Sequence, residues 1–168
     1  GKTGAFLIGT LEKIDVSIKG TQILILAPTH ELVHQIHEVA SELSKFLDIS
    51  IMEVVGGTSV QECRHGLDKQ PHVIIGSPGR VLDMIQKNFL YTNNLKTLIF
   101  DEADETLSFG FKETIYNIVR SIPKTCQICL FSATIPDELL ELSSSFMDNP
   151  QKILVDKEAL TLEGITQF

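Results

Sequence analysis

Short apolar runs alternate with amphipathic stretches along almost the whole chain. Residues 23–27, 51–55, 73–75, 98–100, 128–131 and 153–155 are rich in Ile, Leu, Val and Phe and too short for helices. Near-continuous apolar runs of this length predict strands buried on both faces, as in a parallel sheet. Residues 31–46, 60–67, 80–86, 112–121 and 137–146 read instead as helices. A further helix over about residues 2–13 places Phe6, Leu7, Leu11 and Ile14 at helical spacing. Turn signals punctuate the pattern at Ser77-Pro78-Gly79, Asn93-Asn94, Pro123 and Asn149-Pro150. This alternation predicts an α/β fold with a mostly parallel sheet and helices on both faces. The patterning fades from about Asp156. We therefore expect one domain over residues 1–155 and a segment, 156–168, leading toward a second.

The 168 residues suffice for one domain, and 43% hydrophobic content supplies its core. No apolar run approaches membrane-spanning length, and no repeat or low-complexity tract interrupts the chain. Three cysteines, an odd number, argue against a disulfide framework and for a reducing compartment.

Chemistry concentrates at strand ends. The run Leu98-Ile99-Phe100-Asp101-Glu102-Ala103-Asp104 is an apolar strand that ends in acids. Ligands of open α/β sheets bind at that carboxyl edge, although acids there can also be turn residues or helix caps. At the chain start, Gly1-Lys2-Thr3 matches the last three positions of the phosphate loop G-x-x-x-x-G-K-[ST]. In such a loop Lys2 reaches the β/γ-phosphates of a nucleotide, and the Thr3 hydroxyl binds Mg²⁺. Ser132-Ala133-Thr134 follows the strand at 128–131, where small hydroxyls can hydrogen-bond a neighbouring carboxylate or simply make a turn.

With these segments in order, the sequence resembles the N-terminal RecA-like domain of a DEAD-box RNA helicase. Ala27-Pro28-Thr29-His30-Glu31-Leu32 resembles the family's A-P-T-R-E-L, Gly56-Gly57 its glycine pair, and Ser77-Pro78-Gly79-Arg80 its T-P-G-R. Asp101 to Glu105, Gly110-Phe111-Lys112 and Thr161-Leu162-Glu163-Gly164-Ile165 are similar to the eukaryotic initiation factor 4A subfamily. The resemblance implies ATP as substrate and Mg²⁺ held by Asp101 and Thr3, with Gly1, Lys2 and Thr3 on the triphosphate. It implies that Glu102 positions and activates water, and that Asp104, Ser132 and Thr134 link the nucleotide site to an inter-domain cleft. Thr29, His30, Gly57, Ser77 and Arg80 would lie along the backbone of one RNA strand, without sequence selectivity.

The implied activity is ATP-driven RNA binding and local duplex unwinding, in translation initiation. The alternative within the subfamily is an ATP-dependent RNA clamp or scaffold in a nuclear or ribosome-assembly complex. Implied partners are RNA, a second RecA-like domain of the same parent chain and a translation-initiation scaffold protein, with a monomeric, cytoplasmic protein (nuclear in the alternative) and no membrane. The chain opens inside the phosphate loop, so we expect a piece of a longer protein. The upstream strand, the adenine-recognising glutamine segment and the arginines of the second domain would then lie outside it, leaving this piece nearly inactive alone.

Three features fit less simply. The formal charge of −8 is unusual for an RNA binder, which makes local placement decisive. His30 stands where the family carries arginine, and imidazole lacks arginine's bidentate fork. Weaker or more pH-sensitive RNA binding is expected. His30-Glu31-Leu32-Val33-His34 also matches H-E-x-x-H, the zinc hydrolase signature, with His37 on the same face. Cys126-Gln127-Ile128-Cys129 has redox-like spacing, but residues three apart on a strand face opposite ways, so both read as core residues.

Overall fold

The computed structural model describes residues 1–107 and 110–154. Five strands are present among them: β1 Ile23–Leu26, β2 Ile51–Val54, β3 Val73–Gly76, β4 Thr97–Phe100 and β5 Gln127–Leu130. They form one sheet in the order β2-β3-β1-β4-β5, and every neighbouring pair is parallel. The helices are α1 Lys2–Leu11, α2 His30–Leu43, α3 Val60–Leu67, α4 Pro78–Gln86, α5 Ala103–Thr106, α6 Lys112–Arg120 and α7 Asp137–Ser144.

The three inner strands are buried at every residue, as their unbroken apolar sequences require. Side chains alternate between the faces with period two. Leu24, Leu26, Ile74, Leu98 and Phe100 join a layer built by α3, α4, α6 and α7, including Met84 and Ile115. Ile23, Ile25, Val73, Ile75 and Ile99 join the opposite layer, with Phe6 and Leu7 of α1 and Val33 and Ile36 of α2. Each such side chain, fully buried, contributes about 1.5–3 kcal/mol. This RecA-like architecture is the fold expected from the sequence, with every described strand pair parallel.

Local signals fix the helix starts. The Thr29 hydroxyl caps α2 by accepting the Leu32 N–H at 3.2 Å. Ser59 and Glu62 close a reciprocal capping box on α3. Pro78 opens α4, two residues earlier than the sequence spacing indicates, because proline fits the first helical turn.

Three expectations need correction. Ile153 and Leu154 are not strand residues; they are 86% and 64% exposed. An apolar run becomes a strand only when a sheet edge takes its backbone hydrogen bonds, and neither residue pairs with a described strand. The outer strands β2 and β5 are only partly buried, because each has one sheet neighbour. The short α5 was not foreseen. Val155 and the segment 156–168, with Thr161 to Ile165, lie outside the described residues.

Candidate nucleotide and RNA site

All parallel strands end on one edge of the sheet, and the candidate residues follow those ends. Gly57 follows β2, Ser77 and Arg80 follow β3, and Thr29 and His30 follow β1. Asp101 to Asp104 follow β4, and Ser132 and Thr134 follow β5. The edge thus divides into one half over β2, β3 and β1, which carries Gly57, Ser77, Arg80, Thr29 and His30, and an acidic half over β4 and β5.

In the acidic half, Asp101 is anchored by its N–H, which donates to the Leu26 carbonyl at 2.9 Å. Its Oδ1 accepts the Glu102 N–H at 3.0 Å. Burial pushes the Asp101 carboxyl above the usual carboxylate range. The Glu102 N–H and the Lys2 charge oppose this, and the Glu102 charge adds to it. Lys2, at the start of α1, thus lies within electrostatic range of Asp101 at the end of β4. Gly1 caps α1, whose first turn has no acidic residue and no side-chain cap, so its N–H groups suit an anion. Thr3 is half-buried in that turn.

Glu102 has a left-handed backbone, φ 44° and ψ 57°. For a non-glycine residue this conformation costs about 1–3 kcal/mol and tends to occur at functional sites. Beside it, the Asp104 N–H donates to Ser132 Oγ at 3.4 Å, and the Thr134 hydroxyl donates to Asp104 Oδ2 at 2.5 Å. Desolvation raises the Asp104 carboxyl, but the hydroxyls of Thr134 and Ser132 and nearby N–H groups outweigh it and leave the carboxyl below its ordinary value.

In the other half, Arg80 donates to the Thr58 carbonyl at 2.9 Å and to its hydroxyl at 3.4 Å, tying α4 to the loop after β2. Gly57 in that loop has φ +88°, which favours glycine. The His30 ring packs against Gly56, where an added Cβ would lie 3.4 Å from Nε2. Ser77 precedes α4 and makes no capping bond.

The H-E-x-x-H reading fails on geometry. His30 turns toward Gly56, whereas the Nδ1 atoms of His34 and His37 lie 2.9 and 3.2 Å from Glu53 Oε1. Among the described residues no group of three or more His, Cys, Asp or Glu side chains is arranged to hold a metal ion. The two histidines are at helical spacing, but His30 opens α2 and leans off its face. Cys126 and Cys129 are free thiols packed in opposite core layers, as the strand geometry requires.

Two residues that matter here escaped sequence reading. Thr58 holds Arg80 from 22 positions away, a pairing no local signal announces. Thr106 is fully buried and donates to the Asp101 carbonyl at 2.7 Å. Its only signal was a hydroxyl beside the core residue Leu107.

Residues 1–142 match the family model described as DEAD/DEAH box helicase. Over its full length the chain is 50% identical to "ATP-dependent RNA helicase eIF4A" of Neosartorya fischeri and 49% identical to "Eukaryotic initiation factor 4A" of Cryptosporidium parvum. It spans 42% of each relative. Among solved structures, S. cerevisiae Dbp5 bound to RNA and ADP BeF3 superposes with a TM-score of 0.87 at 29% identity, over 99% of this chain and 42% of Dbp5. A DEAD box protein from Methanococcus jannaschii gives 0.84 at 35% identity, over 89% of this chain and 40% of that protein. The family model thus spans Lys2, the acids after β4 and the hydroxyls after β5, and the chain belongs to the DEAD/DEAH box helicase family.

Proposed function

We propose that this domain is the nucleotide-binding half of an ATP-dependent RNA helicase acting in translation initiation. The observation that carries this reading is the acid pair at the carboxyl edge of the sheet, where buried Asp101 accepts the N–H of a left-handed Glu102, with the charge of Lys2 within electrostatic range. Lys2 and the N–H groups of α1 bind the triphosphate of ATP, with Gly1 allowing its approach. The donors fit Mg²⁺: a carboxylate on Asp101 and a hydroxyl on Thr3, both hard oxygens. Bound there, Mg²⁺ supplies charge neutralisation on the phosphates. Glu102 accepts a hydrogen bond from the attacking water and aims its oxygen at the terminal phosphorus. Asp104, Thr134 and Ser132 join that acid pair to the turn after β5, a route by which nucleotide state reaches a partner domain.

Thr29, His30, Gly57, Ser77 and Arg80 line one strand of RNA through its backbone, which gives affinity without sequence preference. The Dbp5 structure, bound to RNA and ADP BeF3, supports RNA and a nucleotide as the ligands. The relatives named initiation factor 4A support the role in initiation, with a translation scaffold and a second RecA-like domain as partners.

The test of the RNA half is the salt dependence of single-stranded RNA binding in the full-length protein, with and without Arg80→Ala. Loss of one phosphate contact lowers the slope of log K against log salt by about 0.7. An unchanged slope and affinity would remove Arg80 from the RNA surface.

A further inference from the structure

We propose that Thr106 is a positioning residue for the acid pair, holding the left-handed turn that aims Glu102. The inference rests on the reading of this site as an ATPase centre and adds to it a residue outside the sequence motif.

Because Glu102 is left-handed, the chain enters α5 at an angle that an ordinary helix start does not have. The N–H groups of Glu105 and Thr106 both go to the Glu102 carbonyl, at 3.0 and 2.8 Å. The Asp101 carbonyl is therefore turned away from the helix amides. It belongs to a residue only 4% exposed, where an unpaired acceptor is costly. The Thr106 hydroxyl meets it at 2.7 Å.

Thr106 thus makes two bonds, and together they grip both peptide planes flanking one residue. Its hydroxyl holds the plane between Asp101 and Glu102, and its N–H holds the plane between Glu102 and Ala103. The angle between those two planes is the φ/ψ pair of Glu102. Fixing both planes fixes the direction in which the Glu102 side chain leaves the backbone.

The burial of Thr106 points the same way. The side chain is 0% exposed, next to Leu107 and the core residue Ala103. An aliphatic residue would satisfy that position by packing alone, and a buried hydroxyl is stable there only because it has an acceptor. Here the acceptor is the one carbonyl that the strained turn leaves over.

The experiment compares Thr106→Val, Thr106→Ser and Thr106→Ala in the full-length protein. Valine keeps shape without the hydroxyl, serine keeps the hydroxyl, and alanine loses both. We expect kcat for RNA-stimulated ATP hydrolysis to fall about tenfold or more in the valine and alanine variants, because small misplacements of a reacting group are costly. The KM for ATP and the affinity for RNA stay at wild-type values, and serine restores kcat to within about twofold. A wild-type kcat in valine and alanine, or a serine variant as slow as alanine, overturns the proposal.

A second readout does not depend on turnover. The Glu102 Cα chemical shift reports its backbone conformation, and it should leave the left-handed range in Thr106→Val or Thr106→Ala but not in Thr106→Ser. An unchanged shift in both hydroxyl-free variants also overturns the proposal. Wild-type protein without ATPase activity would instead defeat the reading of the site, while the shift still decides the role of Thr106.

Discussion

The Thr134 hydroxyl donates to Asp104 Oδ2 at 2.5 Å, joining the turn after β5 to the one-turn helix after β4. Ser132 completes the junction, its Oγ accepting the N–H groups of both Asp104 and Thr134. Two neighbouring parallel strands are thereby tied at their carboxyl ends by side chains as well as by their ladder.

Removing this tie has a definite electrostatic consequence. The Asp104 carboxyl lies below its ordinary value because hydrogen bonds outweigh desolvation. In Thr134→Val the first of those bonds is gone, and the Asp104 pKa should rise. A depressed carboxylate pKa stabilises the fold above the unfolded value and loses that contribution as pH falls through the folded one. The stability gap between wild type and Thr134→Val should accordingly shrink on acidification. NMR titration of the Asp104 carboxyl carbon checks the shift, and urea melts at two pH values check the gap.

A second pH effect has the opposite sign. The Glu53 carboxylate receives His34 at 2.9 Å and His37 at 3.2 Å, pinning the exposed face of α2 to the edge strand β2. The hydrogen bond to Glu53, then the charges of Glu53 and Glu38, hold the His34 imidazole above its ordinary value, with desolvation opposing. A raised histidine pKa stabilises below the unfolded value, about 6.5, and the contribution is lost as pH rises through the folded one. Glu53→Gln should therefore lower Tm more at about pH 5.5 than at about pH 8.5. An equal drop at both would remove the ion pair from the account.

Close packing gives the sharpest stability prediction. A Cβ on Gly76 would lie 2.5 Å from the Val54 carbonyl oxygen and 2.6 Å from Val81 Cγ2. Neither neighbour can retreat easily, since one is backbone of β2 and the other is fully buried in α4. Gly76→Ala should cost about 3 kcal/mol in urea unfolding, by overpacking. A midpoint equal to wild type would contradict the β2-β3-α4 packing.

The central sheet was legible because its strands are apolar at every position, as in Ile23 to Leu26 and Val73 to Ile75. The acids after Phe100 and the hydroxyls after Phe131 were legible because they interrupt such runs abruptly. Less was readable where tertiary context decides. Ile153 and Leu154 have the composition of a strand, but no described strand pairs with them. The single turn of α5 is too short to show a period. His30 and His34 have ligand spacing along the chain, yet one meets Gly56 and the other Glu53, because the loop and strand beside α2 choose their directions. Arg80 was legible as a cation after a turn, but its partner Thr58 comes from a different connection.

RNA-stimulated ATP hydrolysis by the full-length protein, beside its Glu102→Gln variant, decides whether the acid pair after β4 is an ATPase centre. Glutamine keeps the size of the side chain but removes the charge to which we assign the orienting and activating of water. The account predicts turnover that depends on RNA and a loss of kcat of about a hundredfold or more in the variant, with ATP binding retained. Equal turnover in the two proteins, or none in a folded wild type, would contradict it.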